Sequence, residues 1–582
     1  MGRRRVISVL GRARGLGAVL FLACGGNTAP AATPVCDDGL KSLDLGSGAS
    51  VTLVKAFKNG DALSLASPAA AGSITVRADV CLVKVLVGPG SPGPAGAPST
   101  SAGIGIEVLL PAPATWNERY QAFGGGGLAG GPDITSLSAI GLTSLHPEAV
   151  SAAMDGFVVS ITDAGHSVDQ SQGLFAVNPD GSFNETLFRD FAERAAHEMA
   201  LKTKALARAF YGKEAKFSYW NGCSTGGRQG LMEVQRHPED FDGVLAGAPA
   251  INLDKVPGLW PPIVMQQDLG SPIADAKLDA ANAASIAACD TALTGLSDGY
   301  VSDPSACRYD PAVDQSLLCE SDGGSNVTAA CLTKAEASAI NKIWYGPTAD
   351  GTVPAPAADN GYDARGALAP NQLWFGFARG LPLAGRSAPP NLAFLALALG
   401  DAGFAAPGSD KWKTIGYTGP TSFADVFAAY KMFFADLYST SDPDIHAFRD
   451  RRGKLLLWHG TGDSRILTPS SINYYESVSA FAGGYAEAQT FARFYLAPGV
   501  DHCFFESVSD TNPPVPGGHL DNPNLALIDV LQRWVENDEA PEEITATSAP
   551  GITPVRTRPW CPYPKKLRYI GGDVNTGSFN CE

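Results

Sequence analysis

The sequence predicts an α/β fold: a mostly parallel sheet covered by helices and interrupted late in the chain by a long insertion. Three observations predict it. Strand-like and helix-like segments alternate between residues 105 and 249, the pattern of parallel strands joined by crossover helices. The alternation stops after Pro249 and resumes at Lys454. The composition is globular, with 582 residues, 45% hydrophobic and 18% charged, a length that needs several domains or one domain with a large insertion.

At the amino end, residues 1–14 carry Arg3, Arg4, Arg5, Arg12 and Arg14, and a short apolar run follows at 16–23. A basic segment, a short apolar core and small residues make residues 1–24 a secretory signal and 25–34 a linker. Phe21-Leu22-Ala23-Cys24 resembles a bacterial lipoprotein cleavage site, with Phe21 and Leu22 bulkier than usual there. Lipid on Cys24 is the one membrane anchor the sequence offers, because no other apolar run is long enough to span a bilayer. The chain is therefore expected in the periplasm, on the outer membrane or outside the cell.

Residues 48–57 and 73–87 alternate apolar and polar side chains, contain Val and Thr, and read as strands; 105–110 is a third. Tyr120-Gln121-Ala122-Phe123 is a strand that ends in Gly124-Gly125-Gly126-Gly127. Phe157-Val158-Val159-Ser160-Ile161 is another, stopping at Thr162-Asp163-Ala164-Gly165. Residues 188–209 have helical spacing, 217–220 a strand pattern, 227–236 a helix and 242–247 a strand. Residues 252–445 hold four cysteines, many Gly and Pro and Ala-rich helical pieces, and form the insertion. Residues 454–458 are a buried-strand run, 493–496 one more strand, and 524–536 an amphipathic helix. The α/β body is thus 35–251 plus 446–582.

The formal net charge is −16, which excludes nucleic-acid partners, since these need a basic footprint, and disfavours polyanionic substrates. Eleven cysteines are present; with Cys24 in the signal, ten remain. Cys289 and Cys307, Cys319 and Cys331, and Cys561 and Cys581 lie as local pairs, and no C-x-x-C occurs. An even set in an exported chain reads as structural disulfides, whose connectivity spacing alone leaves open.

Gly222-Cys223-Ser224-Thr225-Gly226 is a G-x-S-x-G motif between a strand and a helix, the setting of a nucleophile elbow. Ser224 would stand at the helix start, with the Thr225 N–H facing a developing oxyanion. A serine needs a base at neutral pH, and the order serine, acid, histidine points to one late in the chain. His502 follows a strand and the turn Pro498-Gly499-Val500-Asp501. Asp463 follows the 454–458 strand through His459-Gly460-Thr461-Gly462 and can hold the histidine tautomer. His459 precedes the acid and reads as a supporting residue. Asp501 adjoins His502 too closely to face its ring, and no strand leads to His519. Contact between Ser224 and His502 would bring Cys223 and Cys503 together, so that a disulfide could tie the elbow to the histidine loop. The second oxyanion donor should come from the loop after an early strand, and Gly125 is the first choice. No redox or nucleotide cofactor is implied.

Cys223-Ser224, Asp463 and His502-Cys503 resemble the CS-D-HC arrangement of the tannase and feruloyl esterase family. Gly222-Cys223-Ser224-Thr225-Gly226-Gly227-Arg228, Trp458-His459-Gly460 and Arg556-Thr557-Arg558-Pro559-Trp560-Cys561-Pro562-Tyr563-Pro564 extend the resemblance over nearly the whole mature chain. It implies an α/β-hydrolase body with a lid domain at 252–445. It also implies a serine carboxylic-ester hydrolase for small aromatic esters of the feruloyl or galloyl type. The implied disulfides are Cys36–Cys81, Cys223–Cys503, Cys289–Cys307, Cys319–Cys331 and Cys561–Cys581. The family's lid calcium would fall to Asp290, Asp298 and the carbonyls of Leu296 and Tyr300; Thr294 stands where a second Asp is usual.

The family includes a terephthalate-monoester hydrolase that uses a lid arginine. Residues 387–399 here contain none, although Arg386 lies just upstream, and Ile466 stands where an aromatic clamp is expected in the substrate pocket. Terephthalate or phthalate monoesters are therefore the second reading, and an inactive lid-bearing binding protein a third. Oligomeric state leaves no trace in the sequence.

Overall fold

The computed structural model describes residues 35–46, 48–167, 172–291, 299–503, 523–547 and 557–582. The proposed signal, linker and Cys24 lie outside these residues, as does His519.

Nine strands make one mixed sheet: β1 (Ala49–Phe57), β2 (Val80–Val87), β3 (Ile104–Pro111), β4 (Arg119–Phe123), β5 (Val158–Thr162), β6 (Phe217–Cys223), β7 (Gly243–Gly247), β8 (Lys454–Gly460) and β9 (Ala492–Ala497). Their spatial order is β1-β2-β3-β5-β4-β6-β7-β8-β9. β1, β2, β3 and β5 pair antiparallel, and every pair from β5 across to β9 is parallel. The parallel strands are short and mostly buried, β5 and β7 from end to end and β8 at every residue after Lys454, as helices on both faces require. Successive residues serve opposite faces. Trp220, Val244 and Leu457 join one core with Val83, Ile106 and Phe494. Tyr219, Leu245 and Leu456 join the other with Trp458, Leu531 and Trp534.

β2 is shorter than the sequence pattern predicts. Residues 73–79 form only an isolated bridge from Thr75 to Ala62. Asp61 and Asp79 accept hydrogen bonds from the amides of Lys58 and Asn59, which favours a turn over a ladder. One ion pair crosses the antiparallel side: Lys84 Nζ stands 2.6 Å from Glu107 Oε1, both buried. Its members are fully engaged, since Lys84 also donates to the carbonyls of Asp133, Ile134 and Ala139 while Glu107 accepts from the Gly141 and Leu142 amides. A buried pair survives only with such satisfaction.

Between β7 and β8 the chain adds helices and loops. Trp260–Leu269, Asp275–Cys289, Lys334–Tyr345, Leu392–Leu399 and Phe423–Tyr438 are the longer helices. Leu259, Trp260, Ile263, Ile340, Trp344 and Phe423 form a core of their own. The insertion also docks on the body, where Phe394, Tyr430, Phe434 and Tyr438 belong to the body's core. Its two ends meet at a neck, with the Thr440 amide 3.2 Å from the Ile251 carbonyl and the Ala248 amide 2.8 Å from the Trp458 carbonyl.

After the helix Pro523–Asn537, two small hairpins close the chain: β10 (Ile544–Thr547) with β11 (Thr557–Trp560), and β12 (Leu567–Gly571) with β13 (Ser578–Cys581). The sequence pattern did not predict them. The structure pairs Cys36 with Cys81, Cys223 with Cys503, Cys289 with Cys307, Cys319 with Cys331 and Cys561 with Cys581, the set the family resemblance implies. Among the described residues no helix is long and apolar enough to cross a membrane.

Candidate active site

β6 passes straight into the helix Thr225–Arg236, and Ser224 is the single residue between them. Its φ of 62° and ψ of −122° lie in a region costly for a side chain with a Cβ. The turn is possible because its neighbours are glycines. A Cβ on Gly222 would stand 2.4 Å from the Gly226 carbonyl oxygen, and one on Gly226 2.9 Å from the Gly124 backbone.

His502 Nε2 lies 2.8 Å from Ser224 Oγ, and His502 Nδ1 lies 2.7 Å from Asp463 Oδ2. The three predicted residues, far apart in sequence, thus form one continuous line. The loops that carry the acid and the histidine are stitched together: the Gly462 amide donates to the Val500 carbonyl at 2.9 Å and the Gly499 amide to Thr461 Oγ1 at 2.9 Å. The Cys223–Cys503 disulfide, with Cα atoms 6.0 Å apart, joins the residue before Ser224 to the residue after His502.

Asp463 is fully buried. Burial alone would raise its pKa, but the His502 charge and the hydrogen bonds from His459 and His502 outweigh it and hold the carboxyl well below the usual range. Its Oδ1 accepts from the Arg465 and Ile466 amides at 2.8 and 2.9 Å. Asp501 does not compete for the ring. Its Oδ1 accepts from the His502 and Ser464 amides at 2.7 and 3.2 Å.

The glycine loop after β4 reaches the elbow, where Thr225 Oγ1 donates to the Gly127 carbonyl. The expectation for Gly125 needs correction. Its amide donates to Gln229 Oε1 at 3.0 Å, one turn into the elbow helix, and is not free for a substrate oxygen. The neighbouring Gly126 amide has no partner among the described residues. The Thr225 amide opens the helix, where first-turn donors have no intrahelical acceptor. His166, unremarked in the sequence, supports the same loop: its Nε2 lies 3.0 Å from the Leu128 carbonyl and its ring stacks on Phe175 with centroids 3.9 Å apart.

Ile466, partly buried, lines a small cavity with Ala250, Asn252, Leu253, Trp374 and Arg465. Its wall adjoins the elbow, since the Ala250 amide donates to the Ser224 carbonyl at 3.1 Å. Arg386 is not among those lining residues. It donates to the Ser464 carbonyl and its guanidinium lies 4.3 Å from the Phe377 ring centre, with burial lowering its pKa to about 10. A larger, mostly apolar cavity of about 80 Å³ lies behind the acid loop, between Tyr362, Thr461, Pro498 and Tyr563, and touches no member of the Ser224 line.

Of the expected calcium ligands, Leu296 and Asp298 lie outside the described residues. Asp290 is buried with Oδ2 on the Gly299 amide at 2.9 Å, and Tyr300 packs its ring beneath Gly499. His197, Glu233 and Asp240 form a separate group whose ligand-type atoms lie within 4.8 Å of one another. There, His197 Nδ1 and Asp240 Oδ2 are only 2.6 Å apart. That is a hydrogen bond, shorter than the spacing of two ligands each about 2.0–2.1 Å from one ion.

The family model for tannase and feruloyl esterase matches residues 96–581. The chain belongs to the tannase and feruloyl esterase family. A probable feruloyl esterase of Arthroderma benhamiae is 35% identical over 494 residues, 82% of each chain. The mono(2-hydroxyethyl) terephthalate hydrolase of Piscinibacter sakaiensis is 31% identical over 533 residues, covering 82% of this chain and 81% of that one. The crystal structure of feruloyl esterase B from Aspergillus oryzae superposes with a TM-score of 0.70 at 26% identity, covering 92% of this chain and 97% of that one. That crystal structure shares the α/β architecture described above.

Proposed function

We propose that the protein is an exported serine carboxylic-ester hydrolase that cleaves esters of small aromatic acids. The observation that carries this reading is the line Ser224–His502–Asp463, at 2.8 and 2.7 Å, on a strained strand-to-helix turn. Ser224 Oγ attacks the ester carbonyl as His502 Nε2 takes its proton. Asp463 keeps the Nδ1–H tautomer and stabilises the imidazolium. The oxyanion meets the amides of Thr225 and Gly126, the latter replacing Gly125. His502 then protonates the leaving alkoxide, and water releases the acyl group by the reverse sequence.

The insertion 252–445 is read as a lid that builds the aromatic pocket. Leu253 and Trp374, which line the cavity beside Ile466, support that. Export is supported by five disulfides, which form and persist in oxidising compartments. A calcium ion at 290–300 would be held by Asp290, Asp298 and the Leu296 and Tyr300 carbonyls. The buried Asp290 carboxylate fits such a hard cation, which would brace the loop beneath Gly499.

The terephthalate-monoester reading has one favourable observation, the relative from Piscinibacter. Against it, Arg386 is committed to Ser464 and Phe377. The deciding experiment is hydrolysis of methyl ferulate, methyl gallate, a terephthalate monoester and a short p-nitrophenyl ester, beside Ser224→Ala. Activity on an aromatic ester that vanishes in the variant is expected. Undiminished activity in Ser224→Ala would reject the assignment, and ligand binding without turnover would favour a binding role.

A further inference from the structure

The hydrogen-bonded line does not stop at the aspartate. Asp463 Oδ2 meets a second imidazole, with His459 Nε2 at 3.0 Å. The same nitrogen lies 3.1 Å from the Ile466 carbonyl. Both neighbours of Nε2 are acceptors, so Nε2 carries the proton. In the neutral ring Nδ1 is then the acceptor, and it lies 2.7 Å from Ser471 Oγ, whose hydroxyl donates. His459 and Ser471 are both fully buried, so no solvent replaces these bonds. His459 stands on β8 and Ser471 on the helix Thr468–Ala482. The Arg465 and Ile466 amides come from the same turn as Asp463 itself, whereas His459 fastens that turn to the sheet.

We propose that His459 is a positioning residue for the catalytic acid and that Ser471 sets its tautomer. This rests on the ester-hydrolase reading above. With His459 in place, Asp463 accepts four N–H donors and has one orientation toward His502. Without it, Oδ2 keeps one donor, the carboxylate can turn, and its charge falls more fully on the His502 ring. Arg386, whose guanidinium feels the Asp463 charge and has Arg465 and Asp501 beside it, remains in place.

The test uses the full mature chain and the aromatic ester it cleaves best. His459→Leu should lower kcat roughly 10- to 100-fold, the range of a lost hydrogen bond to a charged group, with little change in KM. The acid limb of kcat/KM should move to higher pH, because the less solvated carboxylate holds the imidazolium more strongly. His459→Gln places an N–H near the lost Nε2–H and should restore most of kcat. Ser471→Ala keeps the ring but removes its donor, and should move the acid limb the same way. Wild-type kcat and pH profile in a folded His459→Leu would overturn the proposal, as would His459→Gln no better than His459→Leu. If His459→Leu does not fold, an unchanged pH profile in Ser471→Ala overturns it. Ser224→Ala separates the two readings: activity surviving there removes the triad itself, whereas an inactive Ser224→Ala beside a wild-type-like His459→Leu removes only the role of His459.

Discussion

Two histidine–aspartate pairs lie at opposite ends of the helix Thr225–Arg236. At its amino end His502 bridges Asp463 and Ser224. Toward its carboxyl end His197 Nδ1 binds Asp240 at 2.6 Å, with Glu233 alongside. Both aspartates are buried. The difference lies in what surrounds them. Asp463 collects N–H donors and is held ionised. Glu233 has no donor for either carboxylate oxygen, so burial first and then the Asp240 charge push it well above the usual range and keep its proton. One pair faces a hydroxyl on strained backbone and the positive end of a helix. The other stands at the negative end, where a developing anion would be repelled. A buried histidine–aspartate pair is thus ordinary architecture, and chemistry begins with what the second ring nitrogen faces.

The sharpest way to break this contrast is to cut each pair. Ser224→Ala should lower kcat/KM by roughly 10,000-fold or more, while His197→Gln should leave turnover within about twofold by the same steady-state assay, since no hydroxyl depends on it. Removing the tie at the amino end comes next. Cys223→Ala with Cys503→Ala should cost about 100-fold in kcat/KM, because a shift near 1 Å of His502 against Ser224 is enough. Near-wild-type kinetics in that variant would show that the stitched loops alone align the line.

Smaller effects should appear in stability against pH. Asp240 raises the His197 pKa through its hydrogen bond, so that pair's contribution is complete below the unfolded value near 6.5 and is lost as pH rises through the folded value. His197→Gln should therefore lower the unfolding midpoint more at pH 6 than at pH 9. Glu233 has the same pH sign for the opposite reason, since here the charged form is the one the fold disfavours. Its folded pKa is raised, so the unfolded chain ionises first and wild-type stability declines as pH climbs from about 4.5. Glu233→Gln should match wild type near pH 4 and become relatively more stable by pH 8, read from thermal unfolding at both values. A gap independent of pH would show that Glu233 is ionised in the fold.

Much of the amino-end site was readable in the sequence, because each part carries a local rule. The strand–turn–helix setting marked Ser224, chain order marked Asp463 and His502, and two cysteines beside catalytic positions marked the disulfide. The glycine loop was legible as a place but not to the residue, since Gln229 takes up the Gly125 amide and a side chain's reach leaves no pattern. The His197 group was invisible for the same reason: its members lie on separate elements and share no spacing. The docking of Phe394, Phe434 and Tyr438 into the body core has no sequence signature either. An apolar helix face does not say which neighbour it meets. The closing hairpins escaped notice because their strands are short and two of them are largely exposed.

The neck of the insertion has an evolutionary consequence. β7 and β8 are adjacent and parallel, with Gly247 opposite Trp458, and the inserted chain leaves one and returns to the other between Ile251 and Thr440. Whatever grows between those points does not alter the register of the sheet or the spacing from elbow to acid turn. Surface loops of the segment can therefore change length without moving the strands that carry the elbow and the acid turn, whereas Phe394, Phe434 and Tyr438, packed into the body's core, bind its docked helices to the same constraints as the sheet.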